Sequence, residues 1–171
     1  MTSNTIQSNV YGDFGVGGEE LSDFIQGIDT SNTIDGKPIY YWVDKQDQQV
    51  PSDAGYVGIV NCTNITVKNL TLVNKGNKVL FAYTNDSIIE NINASDNNLD
   101  ICFIHSFHNT ITRNTINSIC LCRSSNNNIY LNNFIDAKIS FPPIESTNIW
   151  HSPEPITYTY NGNIYTNYLG N

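Results

Sequence analysis

Charge is what this sequence has least of. Asp, Glu, Lys and Arg make up 14% of its 171 residues, against about 25% in an average soluble domain. Only eight of these are basic, and they are scattered. With a net charge of −8, the chain has no cationic face to meet nucleic-acid phosphates. It also lacks any apolar run of eighteen residues, so no helix of it spans a bilayer. The opening residues, MTSNTIQSNV, contain neither a basic cluster nor an apolar stretch and do not spell a signal peptide. Cysteine is sparse too. Cys62, Cys102, Cys120 and Cys122 lie in apolar, strand-like stretches rather than in loops where disulfide staples sit, which reads as buried or half-buried free thiols.

What the chain has in plenty is asparagine, its commonest residue, and a spelling that recurs. Asn4–Asn9 reads NTIQSN, Asn109–Asn114 NTITRN and Asn127–Asn132 NNIYLN. Between Val57 and Ala137 the sequence falls into four lines: VGIVNCTNITVKNLTLVNKG, NKVLFAYTNDSIIENINASDNN, LDICFIHSFHNTITRNTINS and ICLCRSSNNNIYLNNFIDA. Anchoring on the Asn after each short apolar pair aligns Asn69, Asn91, Asn114 and Asn132 as one expected corner ladder. Each line holds alternating apolar runs three to five residues long, too short and too β-branched for helices. The breaks are rich in Asn, Ser, Asp and Thr, and Asn tolerates the left-handed conformation that corners need.

Short strand, corner, short strand, corner, at a period near twenty, spells an all-β, right-handed parallel β-helix of the pectate-lyase type. A β-sandwich would place hairpin signals between successive strands. None of Asn-Gly, Asp-Gly or Gly-Gly occurs between Val57 and Ala137.

The chain reads as one domain, residues 1–171. Residues 57–140 are the regular coils, 18–56 a flanking helix and strand, and 141–171 a terminal segment with a hairpin. Leu21, Phe24, Ile25 and Ile28 sit at helical spacing and predict an amphipathic helix over 19–28 that covers a flank or edge. Asn161-Gly162, amid alternating Tyr and Thr, predicts a type I′ hairpin. Because NTIQSN opens the chain in mid-repeat, the expectation is a slice of a longer solenoid.

Candidate sites are few. Tyr40, Tyr41 and Trp42 are the candidate glycan-stacking residues, competing with a packed strand. Cys120 and Cys122 share one strand face, and alignment of Ser106 with Ser124 stacks Cys102 beside Cys120, three soft donors that would suit copper. A stack of small buried residues competes with that reading. Among the carboxylates Asp86, Glu90, Asp96, Asp100 and Asp136, only Asp100 is flanked by strand residues, and no pair recurs on one face of successive coils, as a sugar hydrolase or lyase would need. Five glycosylation sequons begin at Asn61, Asn64, Asn69, Asn85 and Asn93.

The stretch IDTSNTIDGKPIYYWVDKQDQQVPSDAGYVGIVNCTNITVKNLTL, with NNNIYLNNFID and TNIWHSPEPITYTYNGNIYTNYLGN, resembles the NosD-type β-helix modules of large cell-surface proteins in methanogenic archaea. The resemblance covers nearly the whole chain. It implies a right-handed β-helix of the carbohydrate-binding and sugar-hydrolase class, set outside the cytoplasmic membrane, with extracellular polysaccharide and further modules of a parent surface protein as partners. It also brings a copper-maturation namesake. The chain departs from that pattern by ending at Asn171, where family members continue into an aromatic tail, and by lacking an upstream signal. The reading is a non-catalytic surface module without a cofactor. The alternatives are a carbohydrate-binding or polysaccharide-cleaving β-helix and a copper-handling protein.

Overall fold

A computed structural model describes residues 1–7, 14–72, 77–94, 99–140 and 146–171. In chain order the elements are β1 (Thr5–Ile6), α1 (Leu21–Phe24), β2 (Thr33–Ile34), β3 (Lys37–Val43), β4 (Gln46–Gln49), β5 (Tyr56–Val60), β6 (Thr63–Lys68) and β7 (Asn77–Ala82). They continue with β8 (Ile88–Glu90), β9 (Leu99–Ile104), β10 (Thr110–Thr112), β11 (Thr115–Cys122), β12 (Asn128–Tyr130), β13 (Asn133–Ser140), β14 (Ile156–Tyr160) and β15 (Asn163–Asn167). The chain alternates between two stacks. A long sheet runs β1-β2-β3-β5-β7-β9-β11-β13 and a short one β12-β10-β8-β6-β4. From β3 onward all neighbours in both are parallel, and each coil gives one strand to each sheet, the arrangement of a parallel β-helix. The solenoid expected from the repeat is the fold.

The register corrects several details. Ile39 pairs with Tyr56 and Gln48 with Ile65, so the stacked coils begin at Lys37 and not at Val57. Thr66, Ile88, Thr110 and Asn128 stack in line, so successive coils here are spaced by 22, 22 and 18 residues. In the opening NTIQSN, Thr5 and Ile6 pair in parallel with Thr33 and Ile34 of a matching SNTI at the edge of the long sheet, but β2 then turns back antiparallel onto β3 through Asp35-Gly36, which interrupts the parallel stack. Both turn residues have positive φ (49° and 79°), as a type I′ turn requires. Ser8 and Asn9 lie outside the described residues. The predicted helix over 19–28 shrinks to one turn: Phe24 is fully buried, but Ile25 is exposed. The Asp23 carboxylate accepts the Glu19 and Glu20 N–H groups, and a four-residue turn has no length to carry a helical stripe.

The expected Asn69-Asn91-Asn114-Asn132 ladder splits into two columns, because Lys68 and Glu90 share a register but Glu90 pairs with Thr112. Asn69, Asn91, Arg113 and Leu131 are corner residues, all with φ between 54° and 58°. The next residues, Leu70, Ile92, Asn114 and Asn132, form an interior column. There the Asn114 Oδ1 accepts the Ile92 N–H (2.8 Å), and the Asn132 Oδ1 accepts the Asn114 N–H (3.0 Å) and Nδ2 (2.9 Å). Asn171 adds the next rung, taking the Asn132 N–H at 2.9 Å. A second interior column runs Ser87, Asn109, Asn127, Asn148 with the same bonding. A third runs Cys62, Thr84, Ser106, Ser124, each side chain donating to the carbonyl two residues earlier. Asn-x-Ile-x-x-Asn thus spells two inner rungs flanking a three-residue strand whose Ile fills the interior (Ile111 and Ile129 are fully buried). The left-handed corners fall elsewhere, also at Asp44-Asn61-Tyr83-His105-Arg123 and Asp47-Asn64-Asp86-His108-Asn126.

The interior is filled by Val57, Ile59, Val79, Phe81, Ile101, Phe103, Ile119 and Leu121 of the long sheet, facing Ile65, Val67, Ile89, Ile111 and Ile129 of the short one. A second apolar layer lies on the outer face of the long sheet. There Tyr41, Tyr56, Val60, Leu80, Ala82, Cys102 and Cys120 cluster with Phe24, Ile34 and Ile39, and Phe14, Val16, Leu21 and Ile28 pack against them. Residues 14–34 therefore cover part of that face, which explains why all five residues of β5 are buried. The C-terminal hairpin forms as expected, β14 pairing antiparallel with β15 around Asn161-Gly162.

Candidate functional site

Alternation in β3 divides the three aromatic residues proposed for glycan stacking. Tyr41 points to the outer face, 7% exposed, where its hydroxyl donates to the Phe24 carbonyl (2.6 Å) and its ring lies over Gly58. A Cβ at Gly58 would come within 2.4 Å of that ring, so glycine is required there by close approach. Tyr40 and Trp42 belong with the interior cluster, their rings edge-on at 6.4 Å, and the Tyr40 hydroxyl donates to Asp53 (2.9 Å). Tyr40, Tyr41 and Trp42 therefore form no common platform: a strand cannot present successive residues on one face.

The thiols do converge. Cys102 pairs in register with Cys120, and the Ser106 N–H donates to the Ser124 Oγ one coil on (3.0 Å). Cys120 and Cys122 have their Sγ atoms 3.0 Å apart, and all three are free thiols on the outer face. Cys102 and Cys120 are buried and Cys122 is half-buried. Hydrogen bonding from Cys102, and then Cys122, lowers the Cys120 pKa from 9.0 to about 6 against the opposing effect of burial. The Cys102 thiol is pushed up, by its bond to Cys120 and by burial, and the Cys122 thiol to about 12, chiefly by burial. The donor chemistry suits a soft metal, but the sulfurs contact one another. No group of three His, Cys, Asp or Glu side chains among the described residues is arranged to hold a metal ion. Cys62 stands apart, in the Thr84-Ser106-Ser124 column.

Asp100, the carboxylate that stood out by its strand context, is fully buried on the same outer face. Its Oδ2 accepts the N–H groups of Asn117 and of Ser118 (3.1 Å), where the register of β11 slips between Ile116 and Ser118. Lys78, also buried, lies beside it in the adjacent strand, since Asn77 pairs with Leu99 and Val79 with Ile101. This carboxylate closes a β-bulge.

One open groove lies along a corner. It has a volume of about 270 Å³, lined by Asn69, Asn91 and Arg113 on one wall and Thr71, Asn93 and Thr115 on the other. The stacking sets the spacing: Asn91 Nδ2 donates to Asn69 Oδ1 (2.8 Å), and Asn93 bridges to both Thr71 and Thr115. Arg113 leans on Glu90 (2.8 Å), an exposed pair worth less than about 1 kcal/mol. Amides, hydroxyls and one half-neutralised guanidinium make a surface that matches hydroxyl groups. Sequence alignment on Asn114 hid it, because it placed Arg113 outside its column.

No curated protein and no solved structure matches the chain. No helix among the described residues is long and apolar enough to cross a membrane. The family model described as "Periplasmic copper-binding protein (NosD)" matches residues 2–171, and with the coiled β architecture that repeat specifies, the chain belongs to the NosD family.

Proposed function

We propose that the chain is a non-catalytic β-helix module working outside the cytoplasmic membrane as a structural and adhesive element that contacts hydroxyl-rich polysaccharide. The observation that carries this reading is the corner groove, whose walls are polar over three successive coils: Asn69, Asn91 and Arg113 on one side, Thr71, Asn93 and Thr115 on the other. An extended polymer laid along such a corner meets a hydrogen-bonding side chain from each wall at each of three successive rises of about 4.8 Å. The long sheet, by contrast, has part of its outer face covered by the chain's own residues 14–34. A glycan array and titration with the full chain test the reading. Micromolar to millimolar binding to polysaccharide is expected, weakened three- to tenfold by Arg113→Ala and by Asn91→Ala. A blank array sinks the adhesive role.

A second reading, copper handling, is supported by three soft donors on one face in a chain of this family. It requires the sulfurs to separate around an ion. Its measurement is a thiolate-absorbance titration with and without cuprous ion. One thiol is expected to ionise near pH 6 and the other two above 9, and cuprous binding should abolish that pattern. The linked stability has a definite sign. Between about pH 6 and 9 the folded chain has released a proton that the unfolded chain keeps, so stability rises with pH; it is lost as pH falls through about 6. Above 9, Cys102 and Cys122 keep protons that the unfolded chain releases, so stability falls again. Three thiols titrating together near 9, with no cuprous uptake, would remove this alternative.

A further inference from the structure

We propose that one face of the C-terminal hairpin is an aromatic stacking platform for a neutral, hydroxyl-rich glycan, a site that rests on the polysaccharide reading above and extends it beyond the groove. The pairing Tyr158↔Tyr165, Tyr160↔Asn163 and Ile156↔Asn167 fixes which residues share a face. Ile156, Tyr158, Tyr160, Asn163, Tyr165 and Asn167 lie together, whereas Thr157, Thr159, Ile164 and Thr166 lie opposite. The tyrosines are not packed on the solenoid: Tyr160 is 63% exposed, Tyr165 43% and Tyr158 36%. Rings of Tyr158 and Tyr165 lie 5.5 Å apart and 25° from parallel, so each holds the other's orientation before any ligand arrives.

Composition selects the occupant. Residues 156–171 contain no Asp, Glu, Lys, Arg or His, in a chain of net charge −8. Such a surface has nothing to neutralise a polyanion or to pair with a charged peptide. It offers ring faces for the C–H faces of sugars, and Asn amides that donate to and accept from hydroxyls. A second copy of this chain is a poor occupant. The three tyrosines, at about 200 Å² each and these exposures, present roughly 300 Å², so they cannot by themselves supply the roughly 800 Å² per partner of a stable interface.

Position supports the same occupant. An isolated two-stranded hairpin is marginal in water, and this one is tied at its foot. The Ser152 N–H donates to the Leu169 carbonyl (2.8 Å), and the Leu131 N–H to the Gly170 carbonyl (2.8 Å). Leu131 belongs to the Asn69-Asn91-Arg113 corner column, so the hairpin rises from the same corner that carries the groove, about 10 Å beyond Arg113 along the axis.

The experiment titrates the full chain with neutral hexasaccharides of glucose and mannose, and with oligogalacturonate as the anionic probe. Tyr160→Ala and Tyr165→Ala should each weaken neutral binding at least tenfold with an unchanged melting temperature. Tyr160→Trp should retain it, and Ile164→Ser on the opposite face should leave it within twofold. If Arg113→Ala weakens binding and Tyr160→Ala does not, the platform is wrong and the groove reading stands. Absence of any neutral-glycan binding ends both. Tighter binding of oligogalacturonate, or a dimer in sedimentation that Tyr160→Ala dissolves, overturns the platform.

Discussion

Asn114→Ala is expected to lower the unfolding free energy by about 3–5 kcal/mol, measured by urea denaturation, because several buried groups lose their partners at once. The Asn114 Oδ1 takes the Ile92 N–H, while its Nδ2 donates to the Asn132 Oδ1 and to the Ile89 carbonyl (3.1 Å), all on a side chain 1% exposed. Each orphaned buried group costs about 1–3 kcal/mol. The comparison that makes the test sharp is Asn91→Ala. Asn91 is exposed at a left-handed corner, and its loss costs only about 1 kcal/mol of backbone preference plus a solvated amide pair. Equal costs for the two substitutions would show that the columns are not distinct. Coils contact mainly their neighbours, so the Asn114 variant should also lose hydrogen-exchange protection first in β10 and β12.

Asp100→Ala should cost about 3 kcal/mol, while Asp100→Asn should cost about half as much. The alanine strips both N–H groups of the bulge, Asn117 and Ser118, of their acceptor inside a buried site; the amide oxygen of asparagine can keep one. Neither variant should change polysaccharide affinity measured below its melting temperature, because the carboxylate faces backbone and not solvent. A stable Asp100→Ala chain that lost binding would reverse the assignment and place this residue in a ligand site.

These two positions show how far the sequence could be read. Alternation in Ile101-x-Phe103 and Ile119-x-Leu121 located the interior side chains, since a strand's period of two is a local property. Aligning Ser106 with Ser124 was enough to stack Cys102 beside Cys120, because a parallel stack transfers register along a whole strand. Asn161-Gly162 specified its hairpin for the same local reason. The asparagine alignment failed by one residue between Asn91 and Asn114, since two different jobs, inner rung and left-handed corner, use the same letter. Helical spacing over 19–28 misled because an apolar pattern without length or tertiary room yields one turn.

By itself, the sequence determined the coil, its period, the apolar interior and the neutral polar character of the surface, because these follow from alternation, corner chemistry and composition. Only the tertiary structure decided which face each coil residue shows. Stacking places Leu131 and Tyr83 in left-handed corners that their own preferences resist, and buries Lys78 and Asp100 side by side. It folds residues 14–34 over Tyr41 and leaves Tyr160 in solvent. Tyr41 and Tyr160 sit in equally aromatic strands, and what separates a packed ring from an offered one is the neighbour that covers it, which lies seventeen residues away in one case and nowhere among the described residues in the other.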